Sequence, residues 1–341
     1  MKQLVCRLEF ITRAFCGGAD PETRVEIRAP SIRGQLRWWF RVLGGFTSLH
    51  PISCREQEAF VFGSVAGKDG QASQLQVRVR PMAQIPSTPV RAENLGFGMN
   101  SPEGYLLFPM RQKPRAGITQ PASWPGFELH LAWRGPDENW EDIQALATVF
   151  GHLGALGFRS RRCMGALAFQ GEAPVPLQAA LARFQRPQDI IIKQLPTQDS
   201  TDATQKLANW LKGWRAYGRS PNLSTGPGFR YAKTDHDTGL GQGSVAYRPA
   251  LGLPVIQRYS SLRQTNTWEE NQKKGAGRFA SPVLLRPYRR PDGRWLALVI
   301  FVESRKWPQN KQAFLNGQAV PVSLDLYNAM KADSHLQPFT A

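Results

Sequence analysis

Periodic apolar stretches are spread along the whole chain and set out its elements. Gln3 to Thr12 reads as a strand, followed by a Gly17-Gly18 turn, and Arg24 to Arg28 reads as a second short strand. Pro30 and Ser31 then open a helix over about 31–43, because a proline in the first helical turn lacks only an N–H that would be unpaired there. Ile32, Leu36, Trp39, Phe40 and Leu43 recur at i, i+4, i+7, i+8 and i+11 and share one face, and Gly44-Gly45 ends the helix. Gln74 to Pro81 alternates apolar and polar residues as a half-buried strand does. Residues 82–126, rich in Pro, Gly, Ser and Arg, predict long loops. Phe127 to Trp133 is a further strand. A second helix spans Asn139 to about Gly157, with Ile143, Leu146, Phe150 and Leu153 as its apolar face.

This order, β-α-β-β-α with insertions, approaches the ferredoxin-like pattern and an α+β class. Ala173 to Pro176, and Pro187 beyond, set a boundary near 175–190, dividing the chain into 1–180 and 181–341. The second part predicts a helix over 204–217, a hairpin of Ser281–Tyr288 and Trp295–Glu303 about Pro291-Asp292-Gly293, a turn at Asn316-Gly317 and a last helix over Leu324–Lys331. Residues 219–243 are glycine-rich and read as irregular.

Composition narrows the partners. The chain has 341 residues, a length that fits two domains, and its 43 Lys and Arg against 26 Asp and Glu give a net charge of +17. Such a surplus concentrates polyanions at the surface, nucleic acid first and acidic membrane second. The basic residues sit in glycine loops and beside tryptophans, not on a long amphipathic helix, which disfavours a membrane-surface protein. No window supplies the roughly 20 apolar residues of a membrane span, and Arg7 and Glu9 interrupt any signal-like run, so a soluble, cytoplasmic protein is expected. Cys6, Cys16, Cys54 and Cys163 form no Cys-x-x-Cys pair, and the five histidines show no metal-ligand spacing, so neither metal nor cofactor is expected.

Two basic elements carry the candidate chemistry. Arg33, Arg37 and Arg41 stack at i, i+4 and i+8 beside the apolar face of the first helix. Their mutual repulsion would be relieved by an anion along the stripe; the alternative is a solvated face. By helical phase Trp39 is core and Trp38 is the ring available to stack on a base. The second element runs from Gly151 to Gly165, with Gly154, Gly157 and Gly165 surrounding Arg159, Ser160, Arg161 and Arg162. Glycines permit close backbone approach and positive φ, turn amides can cradle anions, and arginines bind phosphate bidentately. The alternative is a basic turn that serves folding only. It is not a Walker loop, lacking Gly-Lys-Ser/Thr, and not a dinucleotide fingerprint, since a helix precedes it. Asp235-His236-Asp237 is the one cluster with catalytic composition. It reads either as a polar loop or as the general base of a ribonuclease acting on a 2′-hydroxyl.

Gly17-Gly18-Ala19-Asp20-Pro21 and then Glu26-x-Arg28-x-Pro30-Ser31-Ile32-Arg33-Gly34-x-Leu36-Arg37-Trp38-Trp39-Phe40-Arg41 resemble the N-terminal signature of the first RAMP subunit of type III-B CRISPR effector complexes. The Gly154–Gly165 segment is similar to the glycine-rich loop of RAMP proteins, with one departure, Cys163-Met164 before Gly165. Leu251 to Pro254 and Arg278 to Pro282 resemble later landmarks of the same subunit. The resemblance implies two ferredoxin-like, RNA-recognition-like domains with long loop insertions. It implies partners in crRNA, target RNA and other RAMP subunits, a position near the crRNA 3′ end, and no catalytic role. The RNA-binding set is then Arg28, Ser31, Arg33, Gly34, Arg37, Trp38, Arg41, Gly154, Gly157, Arg159, Ser160, Arg161, Arg162 and Gly165. A RAMP-type, metal-independent endoribonuclease that processes crRNA is the alternative.

Overall fold

The computed structural model describes residues 1–340 apart from 66–69, 92–94, 96–100, 112, 216–225, 260–263, 274 and 276. The first half runs β1 (Lys2–Phe10), α1 (Ala29–Val42), α2 (Cys54–Phe62), β2 (Leu75–Pro81), β3 (Thr88–Val90), α3 (Pro102–Leu106), β4 (Arg115–Gly117), β5 (Phe127–Trp133), α4 (Trp140–Leu153), β6 (Leu167–Phe169) and α5 (Leu177–Ala182). The second runs β7 (Ile190–Thr197), α6 (Ser200–Arg215), α7 (Phe229–Gly239), β8 (Val255–Tyr259), β9 (Gln264–Glu269), β10 (Val283–Arg289), β11 (Trp295–Val302), β12 (Gln312–Leu315), β13 (Gln318–Pro321), α8 (Asp325–Lys331) and β14 (Gln337–Pro338).

The first sheet has the order β2-β5-β1-β6, all neighbours antiparallel, with Lys2 opposite Trp133 and Leu8 opposite Phe127. The second, β10-β11-β7-β14, repeats that order with α6 and α8 as its helices. Each is thus a β-α-β-β-α-β unit, and the α+β, doubly ferredoxin-like expectation holds. The second unit carries an inserted sheet, β13-β12-β9-β8, joined by the Asn316-Gly317 turn with φ of 49° and 89°.

The packing explains the two kinds of apolar pattern. In β1 the inner Cys6, Leu8 and Phe10 are buried, while Val5 and Arg7 on the outer face are exposed, so the strand alternates. The run from Leu298 to Val302 is apolar throughout because its sheet is covered on both faces. Leu284, Leu298 and Ile300 join the core of the first unit, and Leu285, Val299 and Phe301 face α6 and α8. The core of the first unit therefore continues into the second.

Several expectations change. Arg24–Arg28 is no strand, since Val25 makes only a single bridge to Gly17. Residues 82–126 are not merely loops: they hold β3, β4 and α3 and bury Val90, Leu106, Leu107 and Met110. The second helix stops at Leu153, because Gly154 turns extended, at ψ 159°, and its N–H bonds to the Phe150 carbonyl. The described part of 219–243 is largely α7, and the predicted end of the 204–217 helix at Tyr217 lies outside the described residues.

Candidate nucleic-acid interface

α1 buries Ile32, Leu36, Trp39 and Phe40, as its period predicts, and Leu43 is buried at its C-cap. The arginine stripe has a partner inside the fold. Glu58 on α2 accepts from both Arg37 and Arg41, with Arg37 Nε 2.8 Å away, and its carboxyl is held below the usual carboxylate range by these bonds although burial pushes the other way. Arg33 donates to the carbonyl of Phe62, at the C-terminus of α2, where a cation is favoured by the helix dipole. Arg37 and Arg41 keep 35% and 46% of their side chains exposed, so both still face solvent. Arg28 stands at the N-cap of α1, exposed, 3.9 Å from Glu26; Ser31 and Gly34 are also exposed.

The loop after α4 is built differently from the expected clamp. Gly157 and Gly165 have φ of 89° and 65°, and a Cβ on them would strike the backbone of Phe15 and of Leu156. Their close approach is therefore to the protein. The amides of Phe158, Cys163 and Gly165 donate to Phe15, Leu285 and Arg13 carbonyls at 2.8, 2.9 and 2.7 Å. These amides are thus unavailable for an anion nest. Cys163 and Met164 are buried in the second core and pin the loop.

The three arginines divide. Arg162 is not a surface donor: it is 6% exposed and donates to the Arg161 and Val283 carbonyls, both at 2.8 Å, and to Ser281 Oγ at 3.0 Å. Burial pulls its pKa down to about 9. Arg159, at φ 63°, donates from Nε to the Leu106 carbonyl at 2.5 Å and is pulled down to about 10, again first by burial. Arg161 alone of the three turns to α1, its guanidinium 5.4 Å from the centre of the Trp38 ring.

The two elements predicted from sequence thus meet at one place. A cleft of about 170 Å³ lies between Gln35, Trp38 and Trp39 of α1, Ser160 and Arg161 of the loop, and Arg286 of β10. Arg305 acts electrostatically on Arg161, and Arg41, Arg186 and Arg305 all act on Cys54, whose thiol burial pushes up. Arg161 and Arg286 are the two arginines that line the cleft itself. Sequence reading missed Gln35, Glu58, Arg186, Arg286 and Arg305. Arg286 alone carried a signal, being a lone charge inside an apolar strand. It is 3% exposed and donates to the carbonyls of Gly154, Gly151 and Leu167, locking the loop to the second sheet.

The Asp235 cluster is not a loop. It lies on α7, where the Asp235 carboxylate is buried and accepts from the Tyr247 and Arg248 amides at 2.7 and 3.0 Å and from Arg248 Nε at 2.7 Å. Asp237 pairs with Lys233 at 2.6 Å. His152 of α4, which from sequence could equally touch RNA or sit on the helix surface, is buried against Tyr288 Oη at 3.2 Å, and burial followed by Arg286 takes its pKa down to about 4. The Trp210 and Trp214 indoles both donate to Asp333 Oδ2, and that of Trp307 to the Lys311 carbonyl. Among the described residues no group of His, Cys, Asp and Glu could hold a metal ion, and no helix is long and apolar enough to cross a membrane.

The chain has relatives among known proteins. Residues 7–168 match the RAMP superfamily. They take in α1, its arginines and the whole glycine loop. Among curated relatives, CRISPR system Cmr subunit Cmr1-1 of Pyrococcus furiosus is 31% identical over 162 residues, 47% of this chain and 43% of that protein. Subunit Cmr1-2 of the same organism is 26% identical over 181 residues, 50% of this chain and 96% of that protein. The chain thus spans less than half the length of the first of these relatives. The solved structure of Cmr1 from Pyrococcus furiosus superposes with a TM-score of 0.56 at 16% identity, covering 97% of each chain, a likeness of fold.

Proposed function

We propose that this chain is a non-catalytic RNA-binding subunit of a type III-B CRISPR RNA-guided effector complex, acting in the cytoplasm in antiviral defence. It contacts the backbone of crRNA and target RNA near the crRNA 3′ end and adjoins other RAMP subunits. One observation carries this reading: α1 and the glycine loop, both within the RAMP-superfamily segment, converge on one cleft lined by Trp38 and Arg161, and α1 also carries the part-exposed Arg37 and Arg41. In this reading residues 1–180 form the RNA-facing domain and residues 181–341 brace it through Arg286. Arg28, Ser31, Gly34, Arg37, Trp38, Arg41, Gly157, Ser160 and Arg161 meet RNA. Gly154, Gly165, Arg33, Arg159 and Arg162 act indirectly, by holding the surface in shape.

The ribonuclease alternative would rest on Asp235-His236-Asp237. Asp235 spends its acceptor capacity on the backbone and guanidinium of the segment after α7, which suits a structural brace and not a base for a 2′-hydroxyl. The reading is tested by binding of fluorescent single-stranded RNA to the whole chain over a range of salt. Log Kd should rise linearly with log salt, with a slope of about 0.7 per phosphate contacted and little dependence on sequence. A salt-insensitive affinity would overturn backbone recognition. The assembly claim is checked by co-purification of the tagged chain with crRNA and sibling subunits, and recovery of neither would overturn it.

A further inference from the structure

We infer that the groove between the β6–α5 connection and the β10–β11 hairpin is a docking site for an apolar segment of a neighbouring protein subunit. The inference rests on the reading of this chain as a subunit of an effector complex and deepens it, by assigning a surface to a protein partner. The groove has a volume of about 1110 Å³, against about 170 Å³ for the cleft beside α1. Residues 167–178 form one wall and residues 288–293 the other, so both units are needed to build it. Its floor is a row of rings: His152 lies 5.1 Å from Phe169 and 5.9 Å from Tyr288, and Phe339 backs Tyr288 at 5.6 Å. Val175 and Leu177 extend the apolar surface along the first wall.

The observation that points to an occupant is His152. It is 8% exposed and lines the groove. Its Nδ1 lies 3.2 Å from Tyr288 Oη, and among the described residues its Nε2 has no hydrogen-bond partner. Buried polar atoms are rarely left unpaired, because desolvation without a bond is costly. The ring is neutral at pH 7, since burial draws its pKa down, so Nε2 donates or accepts according to the tautomer. A peptide group carries both a carbonyl and an N–H and meets Nε2 in either state. A phosphate only accepts, and a neutral ring gives it no charge to pair with.

The charges at the rim favour the same class of occupant. On a chain with a net charge of +17, this rim is balanced. Arg289 is paired with Glu9, and the hairpin turn holds Arg290 and Arg294 against the one carboxylate of Asp292. Glu172 on the opposite wall offsets the cation left over. A polyanion therefore gains little here, whereas an uncharged apolar segment loses nothing. The segment is held through its side chains and not as an added strand. Leu285 turns its amide and carbonyl to the glycine loop, so by alternation Pro287 turns the same way and has no N–H to give. Pro174, Pro176 and Pro291 remove further donors from the walls.

The test uses the whole chain, fluorescently labelled, and a complex of crRNA and sibling subunits reconstituted without it. Ala173→Arg sets a charge on the half-buried wall and should join that complex roughly 5- to 100-fold more weakly than wild type, the cost of a polar group desolvated without a partner. Its binding of free single-stranded RNA should match wild type. Should Ala173→Arg not fold, Gln178→Arg on the exposed end of the wall replaces it with the same expectation. A benzophenone amino acid in place of Gln178 should crosslink, within the assembled complex, to an apolar stretch of one sibling subunit. Undiminished joining by the folded variant overturns the docking site, as does the absence of a crosslink or a crosslink to crRNA or to a second copy of this chain. An equal loss of RNA binding in the folded variant also overturns it, because the groove then serves RNA. If wild type itself does not join the complex, the subunit reading falls and the docking site with it.

Discussion

Replacing Arg162 by alanine should unfold the protein several degrees early, whereas replacing its neighbour Arg161 should cost RNA and leave the fold standing. Arg162 is buried and makes three hydrogen bonds of 2.8–3.0 Å, two to backbone carbonyls and one to Ser281. Bonds to a charged donor contribute about 1.5–3 kcal/mol each, and a carbonyl stranded without its partner keeps its desolvation cost. Against this stands the cost of burying the charge, visible in the pKa drawn down to about 9. The net loss is about 3–5 kcal/mol, the range for an uncompensated break in a buried charged network. With an unfolding entropy of about 2.1 cal/mol/K per residue over 341 residues, that lowers Tm by roughly 4–7 °C. Arg161 has the Trp38 ring as its partner, a contact of about 1 kcal/mol or less. Its loss should shift Tm by only about 1 °C, weaken RNA binding and flatten the salt slope by about 0.7. Calorimetry of both variants, with RNA titrations beside it, decides the matter. Were Arg162→Ala to melt with wild type, or Arg161→Ala to melt first, the division of labour within the loop would be wrong.

Glu58→Gln should tighten RNA binding and steepen the salt slope, since Arg37 and Arg41 lose the carboxylate they share; an RNA titration showing no change would place both arginines outside the RNA path. For His152, the unfolded side chain takes a proton below about pH 6.5 but the folded one only near 4. Stability should therefore fall by about 3 kcal/mol as pH drops from about 6.5 to 4, at about 1.4 kcal/mol per unit, and level off below; urea denaturation of wild type and His152→Phe reads this term as their difference. Asp235→Ala should lower Tm by several degrees, because the half-buried Arg248 and two backbone amides lose their partner, yet leave target RNA cleavage by the reconstituted complex near wild type. A large loss of cleavage with assembly intact would return catalysis to α7.

The fold was legible wherever burial is one-sided. β1, β2, β5 and α1 each show one face to the core, so a period of 2 or 3.6 is printed in their residues. β7 was missed although it begins with three isoleucines, because it follows Pro187 closely and its burial does not alternate. The candidate site was legible as two basic segments. Their meeting point was not, because the cleft is completed by Arg286, more than a hundred residues further along the chain, which no local pattern ties to α1. Nor does composition report which arginines are used inside the fold. Arg161 and Arg162 are adjacent and identical in type, and only the carbonyls of Val283 and Arg161 facing one of them decide that it is core.

Glu58 shows why an internal partner does not remove the case for an external one. Three cations stacked at i, i+4 and i+8 repel one another by a few tenths of a kcal/mol per pair, and a carboxylate shared by Arg37 and Arg41 cancels that repulsion. It supplies one negative charge to the three positive charges of the stripe, so a charge of about +2 remains. Arg33 points its charge at the end of α2, but Arg37 and Arg41 keep solvent access. Glu58 also orients the two guanidiniums, removing rotamer freedom that RNA binding would otherwise have to remove. An anion arriving along α1 meets arginines already held in place and still in excess. In the proposed RNA-binding reading the carboxylate that stabilises the empty helix also prepares it for a polyanion, and Glu58→Gln separates the two effects by the sign of its change in RNA affinity.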